Sequence, residues 1–202
     1  MPESTTALGA AEPSARVAEI LAAACRVIER DGAHGLHMNA VAREAGVSKA
    51  LVHYYVQTRQ ELLRQALAYA EQRTREAVGA QLAALPDGRS RLHRLLVAYA
   101  GNEPVFAESH ALSSAAWGSL ILDEDLAPVV RAAYQGWADW ITSLVEQGRD
   151  DGSIPAARAT RATVVRLAAL AEGLSSLVDT GVIPSDEAVA LVGDAVAELV
   201  AD

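Results

Sequence analysis

The stretch HMNAVAREAGVSKALVHYYVQTRQELL, residues 37–63, confines this chain more than any other. A short apolar-periodic segment ends at Gly46, and a second runs from Val47 to Val56. Glycine can take the positive φ that a tight turn between two helices needs. Ser48 stands where a helix N-cap belongs, so its hydroxyl can satisfy a free backbone N–H. Ten residues on, Thr58 and Glu61 lie three apart just before Leu62 and Leu63, the pattern of a capping box that fixes a helix start at Thr58. Two short helices joined by a glycine-containing turn form a helix-turn-helix.

The side chains divide by face. Val47, Val52 and Val56 can turn inward, and the small Ala42, Ala45 and Ala50 let two short helices cross closely. That leaves Lys49, Ala50, His53 and Tyr54 outward. Lysine, tyrosine and histidine can meet phosphate, while alanine or leucine, here Ala50 and Leu51, can touch a thymine methyl. Charge agrees with this placement. Residues 1–64 carry seven basic and seven acidic side chains, whereas residues 65–202 carry the whole net charge of −9. An acidic total disfavours nucleic-acid binding, but the local balance counts more than the sum. Lys49 is the one lysine of the chain.

The remaining sequence reads as helices. Val17, Ile20, Leu21, Ala24, Val27 and Ile28 recur at helical spacing, with Gly32 as the stop. A long helix runs from Thr58 to the break at PDGRS (86–90), and further helices are expected at 90–102, 108–122, 125–149, 156–179 and 185–201. No strand-like alternation stands out. Residues 1–13 read as a flexible tail without the features of a secretory signal. The single Cys25 cannot form an internal disulfide, lies in an apolar helical pattern and reads as a core residue in a reduced, cytoplasmic setting. No apolar run is long enough to span a bilayer.

Through AAACRVIERDGAHGL, VAREAGVSKALVHYYV and RQELL, residues 16–64 resemble the DNA-binding domain of the tetracycline-repressor (TetR) family of bacterial regulators. The resemblance implies an all-α homodimer. Residues 14–57 would form a helix-turn-helix DNA-binding domain, and residues 58–202 a helical ligand-binding and dimerisation domain. It implies a repressor released from a palindromic double-stranded operator by a small apolar or cationic effector, without a cofactor. DNA contacts would fall to His37, Asn39, Arg43, Ser48, Lys49, Ala50, Leu51, His53, Tyr54 and Arg59. The chain departs from the family at several positions. His37 stands where a threonine commonly caps the first helix of the motif, and Asn39 is expected to take over that capping. His53 replaces a usual tyrosine, Val56 a usual phenylalanine and Arg59 a common lysine.

Downstream, ATVVRLAALAEGLSSLVDTGV is apolar on two sides. Val164, Leu167, Ala168, Ala171, Leu174 and Val178 form one stripe, with Val165, Leu170 and Leu177 off it. A helix apolar on two sides is buried on two sides. The last helix, with Val189, Val192, Val196, Leu199 and Val200, behaves similarly, and the resemblance implies that these two helices build the dimer interface. Residues 90–145 hold Tyr99, Phe106, Trp117, Tyr134, Trp137 and Trp140 beside Glu103, Glu108 and His110. Aromatics with a few polar groups can line a ligand pocket, and an acid among them suits a cation. Tyr99, Glu103, His110, Trp117, Tyr134 and Trp137 are the candidate ligand residues, with Trp117 and His110 foremost because they share a helix face. Trp137 and Trp140 are three apart, so at least one is expected to be structural. No Glu-x-x-His pair, HExxH, CxxC, phosphate loop or GxSxG occurs, which disfavours an enzyme and a metal site. The alternative is a DNA-binding dimer whose second domain is purely structural; an internal cavity would separate the two.

Overall fold

The computed structural model describes residues 15–106, 110, 112 and 127–200. The expected tail, Glu108, Trp117 and most of the helix expected at 108–122 lie outside them. Among the described residues there is no strand, and the fold is all-α. The helices are α1 (Ala15–Gly35), α2 (Met38–Glu44), α3 (Lys49–Tyr55), α4 (Arg59–Ala83), α5 (Gly88–Ala100), α6 (Ala127–Asp150), α7 (Arg161–Asp179) and α8 (Ser185–Ala197), with a 3-10 turn at Pro104–Phe106.

The starts and stops follow local side-chain chemistry. Gly32 breaks the helical conformation of α1 with φ 69°. Gly46 takes φ 66°, as the turn between α2 and α3 requires. The Ser48 hydroxyl accepts from the Leu51 N–H at 3.2 Å and the Thr58 hydroxyl from the Glu61 N–H at 3.1 Å. Only half of the capping box forms, because the Glu61 carboxylate goes to Arg64 and Gln65 instead. The helix expected to begin near 156 starts at Arg161, where the Thr160 hydroxyl caps it by accepting from the Thr163 N–H at 3.2 Å.

The core has two parts. In the first, Ile20, Leu21, Ala24, Val27 and Ile28 of α1 pack with Val41, Val52 and Val56 around Leu62, Leu63, Ala66 and Ala70 of α4. Cys25 is buried there, its thiol against the Ala66 carbonyl. In the second, Val78 and Leu82 of α4 join Leu92, Leu95 and Leu96 of α5, Ile141, Leu144 and Val145 of α6, and α7 and α8. One helix of 25 residues, ~37 Å long at ~1.5 Å per residue, therefore feeds both cores.

The start of α5 docks on the end of α6. The Gly88 and Arg89 N–H groups donate to Asp151 (2.7 Å) and Ser153 (3.1 Å), beyond α6. On α7, Val164, Leu167, Ala171 and Leu174 turn inward, while Val165 and Leu177 stay exposed. On α8, Val192 and Val196 are buried within the chain and Leu191 is exposed.

Candidate functional site

α2 and α3 present a polar outer surface held by a rigid mount. The Glu44 carboxylate of α2 accepts from Arg26 at 2.9 Å and Arg30 at 2.8 Å of α1, and these guanidinium donors hold its carboxyl below the usual range. Asn39, Arg43, Ser48, Lys49, Ala50, His53 and Tyr54 are all exposed, and Leu51 half-buried. Tyr54 is 76% exposed, and its ring meets the half-buried Tyr55 edge-on. Lys49 and His53 share one side of α3 by their i, i+4 spacing, as do Ala50 and Tyr54. Two residues do more than the sequence suggested. His37, not Asn39, caps α2: its Nδ1 accepts from the Ala40 N–H at 3.0 Å. An imidazole nitrogen without a proton has the lone pair that a threonine hydroxyl would offer. Arg59 is half-buried, and its Nε donates to the Leu36 carbonyl at 3.0 Å, tying α4 to the end of α1.

A cavity of about 70 Å³ opens between α4, α5, α6 and α7. Its wall is largely aromatic: Tyr99, Phe106, Tyr134, Trp137 and Trp140, with His110 among them. Tyr99 stacks on Trp137 with ring centres 4.3 Å apart and meets His110 edge-on at 4.3 Å. Two carboxylates, Glu71 and Glu172, complete the wall. Each oxygen of Glu172 accepts from a tyrosine, Oε2 from the Tyr99 hydroxyl and Oε1 from the Tyr134 hydroxyl at 2.9 Å. Burial, reinforced by the nearby Glu172 charge, pushes the Tyr99 hydroxyl far above its ordinary pKa, so it stays a donor. Burial pushes His110 below its ordinary value, which favours the neutral ring. Glu71 accepts from Arg75 at 2.6 Å, and the same guanidinium group donates to the Gly136 carbonyl at 2.7 Å and lies 4.6 Å over the Trp140 ring.

Tyr99, His110, Tyr134 and Trp137 thus come together as the sequence suggested. Glu103 does not join them; both its oxygens accept from Arg94, at 2.9 and 2.8 Å. Trp117 lies outside the described residues. Glu172, Glu71 and Trp140 were not read as site residues. Glu172 carried a signal, being the one acid between Arg161 and Val178 in an otherwise apolar run. Glu71 carried none, because α4 is studded with charges. Trp140, spaced as a structural partner of Trp137, takes a place in the wall beside it. Among the described residues, no cluster of histidine, cysteine or carboxylate side chains could hold a metal, and no helix is long and apolar enough to cross a membrane.

Two family models match the chain. Residues 20–66 match the model of bacterial regulatory proteins of the tetR family, and residues 89–201 that of the C-terminal domain of BetI-type transcriptional repressors. Among solved structures, a TetR-family transcriptional regulator from Rhodococcus sp. is 28% identical, with a TM-score of 0.83 over 92% of this chain and 98% of the other. A transcriptional regulator from Saccharomonospora viridis, solved in complex with choline, is 26% identical, with a TM-score of 0.68 over 89% of this chain and 94% of the other. The regulator FadR from Bacillus subtilis, solved with stearoyl-CoA, shares the fold at 17% identity and a TM-score of 0.64, over 91% of this chain and 97% of the other. Among curated proteins, no relative matches.

Proposed function

Because the chain belongs to the TetR family of bacterial regulatory proteins, whose members are transcription regulators and not enzymes, we propose that it is a repressor released from its operator by a small organic cation. The Glu172 carboxylate carries this reading. Two tyrosine hydroxyls orient it in an aromatic wall, where a fixed negative charge and ring faces together favour a cation over a neutral or anionic guest. Trp140 already accepts the Arg75 guanidinium on its face. The Saccharomonospora viridis regulator holds choline, a cation of this class. A cavity of about 70 Å³, several times the ~10–15 Å³ one water needs on the same measure, suits a compact head group rather than a long acyl chain. It also favours a sensor over a purely structural second domain.

In this reading the DNA contacts fall to the exposed face of α2 and α3. Ser48, Lys49, His53 and Tyr54 meet phosphates, with Ala50 and Leu51 toward base edges. The dimer forms through α7 and α8, whose outward Val165, Leu177 and Leu191 are exposed. The cation reading is tested by titrating the Trp137 and Trp140 fluorescence with n-propyltrimethylammonium and with 3,3-dimethylbutan-1-ol, the neutral carbon counterpart of choline. Saturable binding of the cation, and little or none of the alcohol, is expected. Equal affinities would overturn the reading. Release of bound operator on a native gel by the binding compound then tests the regulatory half.

A further inference from the structure

A second hollow, apart from the aromatic cavity, opens between α5 and α8 and holds about 440 Å³. Its α5 side is basic. α5 carries Arg89, Arg91 and Arg94, three of the ten arginines in residues 65–202, and no acid, although that part of the chain holds nineteen acidic side chains. Arg91 is spent on packing: it donates to the Gln147 side chain at 2.9 Å and to the Leu85 carbonyl at 3.0 Å. Arg89, His93 and Arg94 line the hollow. Arg89 and His93 are four apart and share a helix face. The His93 ring leans to α8, where its Nε2 lies 3.6 Å from the place a Cβ on Gly193 would take.

Five arginines are half-buried among the described residues: Arg59, Arg75, Arg89, Arg91 and Arg94. Four of them donate to acceptors of the chain, Arg59 to Leu36, Arg75 to Glu71 and Gly136, Arg91 as above, and Arg94 to Glu103 and Gln81. The Arg89 guanidinium has no such partner among the described residues, and its nitrogens stay open to solvent. The start of α5 is not the attraction, because the Gly88 and Arg89 N–H groups already serve Asp151 and Ser153. A guanidinium offers a planar fork that fits a carboxylate. The same wall shows the fit: the two Glu103 oxygens lie on Nη1 and Nη2 of Arg94 at 2.9 and 2.8 Å. That pair is neutral, and Asp87, two residues before Arg89, is committed to capping α5 through the Ser90 N–H at 2.7 Å. One uncommitted guanidinium suits a monoanion better than a doubly charged phosphate. Leu85, Val196 and Ala197 supply an aliphatic wall beside it, the mixture of apolar surface and few polar groups that small-molecule sites have.

We propose that the hollow between α5 and α8 is a second small-molecule site, which takes a monocarboxylate with a short aliphatic body. The carboxylate sits on Arg89 with His93 as a further donor, and the body lies against Leu85, Val196 and Ala197. This site does not depend on the cation reading, since the aromatic cavity carries Glu71 and Glu172 and repels such a ligand. Hexanoate is the probe, and hexanamide, of nearly the same shape and without charge, its control. Calorimetric titration of the full-length protein should show saturable binding of hexanoate, with hexanamide roughly 10-fold weaker or more, because hydrogen bonds to a charged group are the stronger ones. Arg89→Met keeps the aliphatic stem, breaks no side-chain hydrogen bond of the fold, and should bring the two affinities together. Ala197→Phe, at an exposed position of the opposite wall, should fill the hollow and abolish hexanoate binding. Absence of hexanoate binding, equal wild-type affinities for the two compounds, or wild-type hexanoate affinity in either variant would overturn the site and leave the cation reading untouched.

Discussion

At the scale of single residues, two histidines do different work. His37 caps α2 through a bare Nδ1, so its side chain substitutes for a hydroxyl at a helix start. Replacing it with alanine removes the cap and should cost about 1 kcal/mol of unfolding free energy, read as a lower urea midpoint at unchanged slope, while His37→Thr should stay close to wild type. His110 acts through pH. Burial lowers its pKa below the ordinary 6.5, so between 6.5 and that lower value the unfolded chain holds a proton the folded chain refuses. This contribution to stability is complete above 6.5 and is lost as pH falls through the window. A bound cation opposes the same protonation. Affinity for n-propyltrimethylammonium should therefore stay flat through 6.5 and decline only as pH falls through the lower folded value. His110→Phe should lose the part of that decline that the imidazole causes, as calorimetry at several pH values would register.

At the scale of elements, the tightest contact is backbone against backbone. A Cβ on Gly88 would lie 2.1 Å from the Gly148 nitrogen, so the start of α5 can seat on α6 only without a side chain. Gly88→Ala should force the two helices apart and cost roughly 1–3 kcal/mol, seen as a drop in the thermal midpoint. The response of the chain to this change would be global, because the cavity wall takes residues from both helices. This contact also marks what could be read in advance. The helix-turn-helix, the Gly46 turn and the caps at Ser48 and Thr58 were legible because each depends on neighbours three or four residues away. The inward stripe of α7 was legible for the same reason; its second apolar side, Val165 and Leu177, is exposed, and on α8 Val192, Val196 and the following Leu199 are buried within the chain. The Gly88–Gly148 seat was not, since the two residues sit on helices far apart in sequence. The pairing of Glu172 with Tyr99 and Tyr134 joins three helices, and the Glu71–Arg75 pair needs α6 beside α4 before it borders anything. The aromatics of the wall were visible as a composition bias; which acid they surround was not.

At the scale of the whole molecule, dimerisation and coupling meet on the same frame. The outward Leu177 and Leu191 belong to α7 and α8, and α7 also carries Glu172, so the proposed interface and the cavity share a helix. Arg at Leu177 or Glu at Leu191 should leave the monomer folded, because neither side chain is in its core, and shift sedimentation from dimer to monomer. In the proposed repressor, coupling to DNA would run through α4. The cavity takes Leu67, Ala70, Glu71 and Thr74 from its middle, and its first turns, Leu62 and Leu63, sit in the core beneath α2 and α3. Arg59 fastens that end to the Leu36 carbonyl, and Arg75 fastens the middle to the Gly136 carbonyl of α6. A cation that engages Glu71 or the Trp140 face competes with Arg75 for both, and any movement of Arg75 is passed to a helix that runs unbroken from its Thr58 cap to Ala83. The effector then favours one setting of the reading heads over another, and a shift of this kind is reciprocal. Operator DNA should weaken binding of the cation by the same factor by which the cation weakens operator binding. Titrating the effector calorimetrically into the free protein and into the operator complex measures that factor. Arg75→Met, which removes the tether and keeps the length of the side chain, should bring it toward one. Equal effector affinities with and without operator in the wild type would mean that the cavity, however well it binds a cation, does not report to the DNA.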